Sequence, residues 1–290
     1  MQEFDFYAPE TLDALCRILT ETGGRVIAGG TDVIPRMRRD QFQADRLVDI
    51  SRIADLRFIT EEDKEIRIGA LTTYADMLSS SLLQRAAPSL LQAAATVGSP
   101  QIRHRGTLGG SIATASPAGD TLPPLLTLNA EVRLISLDSE RTLPLAELLR
   151  APGETCLESD EIVHSVAFPR LPEPSAAAFL KLGKRKGMAI SVVSVAVALV
   201  IAPDGDIAEA RIAFGSVAPT AVRSPHAEAA LAGQSPNPEV IQRAAKAATS
   251  DISPIGDVRA TADYRRHAAV HLLRRALQAA SEKVERKTTA

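Results

Sequence analysis

The chain has 290 residues, 45% of them hydrophobic, and a formal net charge of −2. That length accommodates two domains better than one, and the balanced charge excludes a dedicated nucleic-acid binder, which carries a basic surplus. The two cysteines form no CxxC pair, which argues against a disulfide framework, a zinc site and a chain-borne iron–sulfur cluster; with no tryptophan and only 3% aromatics, a base-stacking platform is excluded as well.

The opening residues, MQEFDFYAPETLDALC, have no basic segment leading into an apolar core. No secretory signal is read there, and a cytoplasmic location is expected. "PETLDALCRILTETGG" then sets Leu12, Leu15, Cys16 and Leu19 on one helical face, with Gly23-Gly24 as the stop. On that stripe Cys16 is expected to be buried and unreactive. "RVIA" is a short strand turning at Gly29-Gly30, and "RLVDIS" (Arg46–Ser51) is a second strand. "EIRIGALTTYADMLSS" changes from strand to helix near Thr72, and "PSLLQAAATVGS" (Pro88–Ser99) is an Ala-rich helix. A second glycine stretch follows, then the helix "PPLLTLNA" and the strands Glu131–Ser136 and Asp160–Pro169.

"RLPEPSAAA" (Arg170–Ala178) is the candidate linker. Beyond it the longest apolar run, Ile190–Ala202, is too short for a bilayer span and rich in Val and Ile, so it reads as a buried strand. A turn at Asp204-Gly205-Asp206 leads to a second strand near Ala208–Gly215. Three helical segments come last: "SPHAEAALAG", "NPEVIQRAAKAATSDI" and a long one from Ala262 to Glu285. Strands first and helices after predict an α+β second domain.

The two glycine stretches, "VIAGGTDVIP" and "RGTLGGSIATASPAGD", carry the chemistry. Glycine lets a ligand approach peptide N–H groups, and successive N–H groups in such a turn form an anion nest. Thr31 and Asp32 suit an N-cap, while Thr107 and Ser111 offer hydroxyls. Two such nests could hold the diphosphate of a dinucleotide such as FAD or NAD. Gly-Gly pairs also serve plain tight turns, and neither GxGxxG nor GK[ST] occurs, so pattern alone leaves the ligand at "phosphate-containing".

Taken together, "VIAGGTDVIPRMR", "IRIGALTT", "QIRHRGTLGGSIATASPAGDTLPPLLTLNAEVRL", "FLKLGKRKGMAISVVSVAVAL", "RIAFGSVAPTAVR" and the "DYR" at Asp263–Arg265 resemble the FAD-binding subunit of the molybdenum hydroxylases. That family includes xanthine dehydrogenase and aerobic carbon monoxide dehydrogenase, and the resemblance covers nearly the whole chain. It implies an α+β protein: a PCMH-type FAD-binding domain of two α/β subdomains over residues 1–173, then a C-terminal α+β domain, an antiparallel sheet with helices, over residues 174–290.

The resemblance also implies the site. The first FAD loop is Val26, Ile27, Ala28, Gly29, Gly30, Thr31, Asp32 and Val33; the second is Thr107, Leu108, Gly109, Gly110 and Ser111. Asp120 matches an aspartate that contacts the cofactor, Val97 a position packed near it, and Val163 a strand position near the adenine end. Lys181 matches a lysine near the isoalloxazine, the expected catalytic residue, whose charge would stabilise the reduced ring. Ser111 stands where many relatives have Asn, and His104 stands in "IRH" where "IRN" is common. The expected partners are a small [2Fe–2S] subunit and a large molybdenum-cofactor subunit in a dimer of heterotrimers. NAD, a quinone or oxygen is the expected acceptor. A self-contained PCMH-type flavoprotein oxidoreductase is the alternative, and a flavin-free scaffold a third reading.

Other residues read as bland. His267 and His271 have a zinc-compatible spacing, but the HExxH glutamate and a third ligand are missing, so no metal site is read. "KLGKRKG" (Lys181–Gly187) is either a solvated loop or an acceptor-docking surface. "YRRH" and Arg274-Arg275 are expected on the exposed face of the last helix.

Overall fold

The computed structural model describes residues 3–185 and 187–288. It begins with β1 (Asp5–Tyr7), α1 (Leu12–Thr22), β2 (Arg25–Ile27), α2 (Val33–Arg38) and β3 (Arg46–Asp49). The strands form a parallel sheet in the order β1-β3-β2. Thr11 caps α1 by accepting from the Ala14 N–H, and Leu15, Cys16 and Leu19 are the buried stripe. Leu15 and Leu19 pack on Val48 and Ile50, while Ile27 and Leu47 face Met37 of α2. Burial pushes the Cys16 thiol up, which keeps it protonated and unreactive.

The second unit adds β4 (Ile59–Glu62) and β5 (Glu65–Gly69), then six short helices: α3 (Tyr74–Ser79), α4 (Ser81–Ala86), α5 (Pro88–Thr96), α6 (Pro100–Arg103), α7 (Leu108–Thr114) and α8 (Leu122–Thr127). It continues with β6 (Glu131–Ile135), β7 (Glu140–Pro144), α9 (Leu145–Leu148), the small hairpin β8 (Leu149–Ala151) and β9 (Glu154–Thr155), and β10 (Ile162–Pro169). Its sheet is antiparallel, in the order β4-β5-β10-β6-β7. One face carries Ile66, Ile68, Val132, Leu134 and Val166 into a core shared with the helices. Side-chain caps explain why the helices break so often: Thr73, Ser80, Ser99 and Thr107 each accept from a backbone N–H at the start of a new one.

The C-terminal unit holds β11 (Ser175–Gly183), β12 (Ser191–Ile201), β13 (Ile207–Gly215) and β14 (Val222–Arg223) in one antiparallel sheet, followed by α10 (Pro225–Leu231), α11 (Pro238–Ala247) and α12 (Ala262–Thr288). The run of valines in β12 is explained by cover on both sides. Val193, Val195 and Val197 join the core built with α12, while Ala196 faces Ala93 of α5.

Two expectations are corrected here. The stretch read as a linker ends inside β11: Ser175, Ala176, Ala177 and Ala178 are strand residues and buried. Small alanines let the helix α5 come close, and Gln92 of α5 accepts a hydrogen bond from the Phe179 N–H at 2.7 Å, so tertiary contact overrides weak strand propensity. Arg265 of "YRRH" is 3% exposed, not on the outer face. It donates to the carbonyls of Val192 and Ser216 and to Asp257, tying α12 to the sheet. His267 and His271 are exposed, with ring centroids 4.5 Å apart.

Candidate functional site

The first glycine loop leaves β2 and enters α2. Gly29 lies directly against the second glycine stretch: a Cβ added to it would sit 1.7 Å from the Arg105 carbonyl oxygen. The two stretches therefore touch backbone to backbone. Gly30 takes a φ of 73°, which a larger residue adopts only with strain. The N–H groups of Gly29, Gly30 and Thr31 donate to no group among the described residues. That is the free-amide nest the sequence predicts. The expected cap is corrected, however. Asp32 occupies the N-cap position of α2 without making a cap bond; its carboxylate pairs with Arg36 at 3.3 Å.

The second stretch is built differently. Thr107 caps α7 by accepting from the Gly110 N–H at 3.1 Å. The N–H groups of Leu108, Gly109 and Ser111 donate to the carbonyls of Thr72, Ala70 and Thr107. The amides at the start of α7 are thus engaged within the chain, and the second nest read from the sequence is not there. The glycines serve close approach instead. A Cβ on Gly109 would meet the Ala70 Cβ at 2.5 Å, so Gly109 seats α7 on the end of β5. A Cβ on Gly110 would meet only the Thr107 Oγ1, at 2.9 Å, and otherwise point into open space.

That open space is a cavity of about 750 Å³ between the two stretches, inside the usual range for small-molecule sites. Of the residues named from the sequence, Val26, Ala28, Gly29, Gly30, Thr31, Asp32, Val33, Val97, Thr107, Gly109, Gly110, Ser111 and Val163 line it. Ile27 and Leu108 do not; their side chains are in the cores. The segment 153–162 supplies a third wall that sequence reading missed. It is held by Glu161, which accepts two hydrogen bonds from Arg141 and one from the Glu158 N–H, while Arg141 also donates to the Cys156 carbonyl. Arg141, led by its hydrogen bonds, holds the Glu161 carboxyl below its ordinary value. Its one legible signal is Gly153, whose φ of 82° marks the turn.

Asp120 and Lys181 do not line the cavity; they bond to each other. Lys181 Nζ lies 2.5 Å from Asp120 Oδ2 and also donates to the Thr96 carbonyl, and the Ser191 hydroxyl donates to Asp120 Oδ1 at 2.6 Å. Both charged side chains are below a tenth exposed, on the seam between the second unit and the C-terminal sheet. Burial pushes the Asp120 carboxyl above its ordinary range, against the pull of Lys181 and the hydrogen bonds. Lys181 thus presents its ammonium to Asp120 and the Thr96 carbonyl rather than to the cavity. The pair still neighbours the cavity, since the Ser111 hydroxyl on the wall lies 3.5 Å from the hydroxyl of Thr121, the residue after Asp120. His104 is exposed at the end of α6. Lys184 donates to the Val258 carbonyl, and Lys186 of the basic cluster lies outside the described residues.

Comparison with known proteins matches both halves of the chain. Residues 2–171 match the FAD binding domain in molybdopterin dehydrogenase, and residues 178–280 match the CO dehydrogenase flavoprotein C-terminal domain. The carbon monoxide dehydrogenase medium chain of Hydrogenophaga pseudoflava is 32% identical over 280 residues, covering 96% of each chain. The xanthine dehydrogenase FAD-binding subunit of Escherichia coli O157:H7 is 32% identical over 91% of this chain and 92% of its own. A solved structure of carbon monoxide dehydrogenase from Hydrogenophaga pseudoflava superposes with a TM-score of 0.92 at 34% identity, over 96% of this chain and 97% of that one. No helix among the described residues is long and apolar enough to cross a membrane.

Proposed function

Since the chain belongs to the family of FAD-binding subunits of molybdenum-containing dehydrogenases, we propose that it is the flavin-bearing link between an iron–sulfur partner subunit and an external electron acceptor. FAD, when bound, accepts and releases electrons singly or in pairs and so joins one-electron to two-electron carriers. The partners in this reading are a small [2Fe–2S] subunit and a large molybdenum-cofactor subunit, in a dimer of heterotrimers. NAD, a quinone or oxygen is the acceptor. The two curated relatives act on unlike substrates by name, carbon monoxide and xanthine, so the substrate is read on the molybdenum subunit rather than here. The reading assigns the chain to the cytoplasm, in keeping with two free thiols.

The observation that carries this reading is the cavity with the unpaired N–H groups of Gly29, Gly30 and Thr31 on one wall and the bare face of Gly110 on another. The residues fit a dinucleotide. The first loop would hold phosphate oxygens through its amides, and Gly110 would let the ligand lie against the α7 backbone. Val26, Val97 and Val163 give the cavity apolar wall on which ring systems pack. Ser111 offers a hydroxyl in place of a longer amide. Asp120, Lys181 and Ser191 lock the C-terminal sheet beside that wall, and domain boundaries near residues 173 and 174 belong to the same reading.

The test is affinity purification of the tagged chain from its own host, with flavin, iron and molybdenum analysis of the eluate. We expect co-purifying subunits that bring iron and molybdenum, and bleaching of the flavin absorbance when the oxidisable substrate is added. A chain that elutes alone and turns over a substrate unaided would support the self-contained oxidoreductase instead.

A further inference from the structure

The cavity wall has an uneven charge. Its carboxylates are Asp32, Glu154, Glu158 and Glu161; its one cation among the described residues is Arg25. Asp32 is balanced by Arg36, and Glu161 by Arg141. Arg25 forms no ion pair with any described residue. Its guanidinium lies instead over the Phe42 ring, 4.9 Å from the centroid. Arg36, the partner of Asp32, lies on the same ring at 5.7 Å. The ring itself is seated on the small core of Ile27, Met37 and Leu47.

A carboxylate would fix Arg25 and cancel its charge. An aromatic face fixes a guanidinium and leaves the charge in place. Arg25 ends up as a braced, uncancelled cation. It sits on the strand that runs into the free-amide loop, in a wall otherwise rich in carboxylates. A dianionic diphosphate entering that wall needs a counter-charge, and neutral amides supply only partial ones.

We propose that Arg25, held by the Phe42 ring, is the cation that recognises the phosphate-bearing part of the dinucleotide in this cavity. Phe42 is a positioning residue: it also steadies Arg36, and through Arg36 the far end of the glycine loop at Asp32. The proposal rests on the reading of the cavity as the FAD site.

The full-length chain, stripped of flavin, tests it by equilibrium dialysis against FAD at low and high salt. In the wild type, affinity falls as salt rises. Arg25→Gln binds FAD roughly tenfold more weakly at low salt, and the gap closes at high salt because a screened charge is what was removed. Arg25→Lys recovers most of the loss, and Phe42→Leu shows a smaller loss with the same salt dependence. An Arg25→Gln affinity equal to the wild type at low salt would overturn the proposal, as would a loss of the same size at every salt concentration. Should Arg25→Gln fold poorly, a wild-type FAD affinity independent of salt would overturn it equally. A wild-type chain that takes up no FAD overturns the reading of the cavity, and the proposal falls with it.

Discussion

Gly29→Ala is the sharpest single perturbation the structure allows. The new Cβ would land 1.7 Å from the Arg105 carbonyl oxygen, 2.5 Å from its carbon and 3.1 Å from the Gly106 nitrogen. Real Cβ atoms essentially never approach within 3.0 Å, so the two glycine stretches must part by at least about 1.3 Å. Both contact partners are backbone, so no side chain can swing away. Overpacking of this kind costs about 1–3 kcal/mol. In a protein of this size that lowers Tm by roughly 2–5 °C. FAD affinity should fall at least about tenfold, because the two walls of the cavity separate and the reactive geometry of a site tolerates little displacement. Thermal unfolding and a flavin-binding titration of the same preparation read both effects. A Gly29→Ala chain with wild-type Tm and wild-type flavin content would refute the backbone contact on which the site's geometry is built.

The opposite behaviour is expected of Gly110→Leu, whose side chain would enter the cavity: Tm close to the wild type with flavin lost, measured by thermal unfolding and by absorbance after desalting. Asp120→Leu strands the Lys181 ammonium in a buried seam and should cost about 3–5 kcal/mol in urea unfolding, whereas Asp120→Leu with Lys181→Met should recover most of it. Asp257 gives a pH dependence. Burial pushes its carboxyl up, but the Arg259 N–H, the Arg265 side chain and the Ala260 N–H outweigh it and bring it from 3.8 down to about 2. A depressed carboxylate stabilises the fold above its unfolded value and loses that contribution as pH drops. The Tm gap between wild type and Asp257→Asn should therefore be full at neutral pH and close between about pH 4 and about pH 2. A gap that stays constant across that range would show that Asp257 acts by shape alone.

Much of this architecture can be read from the chain, for reasons that are local. The stripe Leu15, Cys16 and Leu19 and the glycine stop at Gly23 are short-range signals, and α1 follows them. The valines of β12 announce a strand covered on both faces. Two glycine pairs in two distant stretches announce a ligand wall. What those glycines do is not local. The amide state of each stretch depends on what lies opposite: the carbonyls of Ala70 and Thr72 engage the second stretch, and nothing comparable reaches the first. The third wall, residues 153–162, is irregular chain fixed by Arg141 from a neighbouring strand, so no periodicity points to it. The pairing of Asp120 with Lys181 joins residues 61 positions apart across two folding units, and sequence could name each of them without showing that they bond to each other. The strand β11 was hidden because alanine is a poor strand former in isolation and a good one against a close-packed helix.

Flavin binding is tested most directly by the visible absorption spectrum of the purified full-length chain, taken after incubation with FAD and desalting. Flavin bands corresponding to one FAD per chain are expected, with Gly110→Leu showing none. A correctly folded wild-type chain that retains no flavin, alone or with its co-purified subunits, would contradict it.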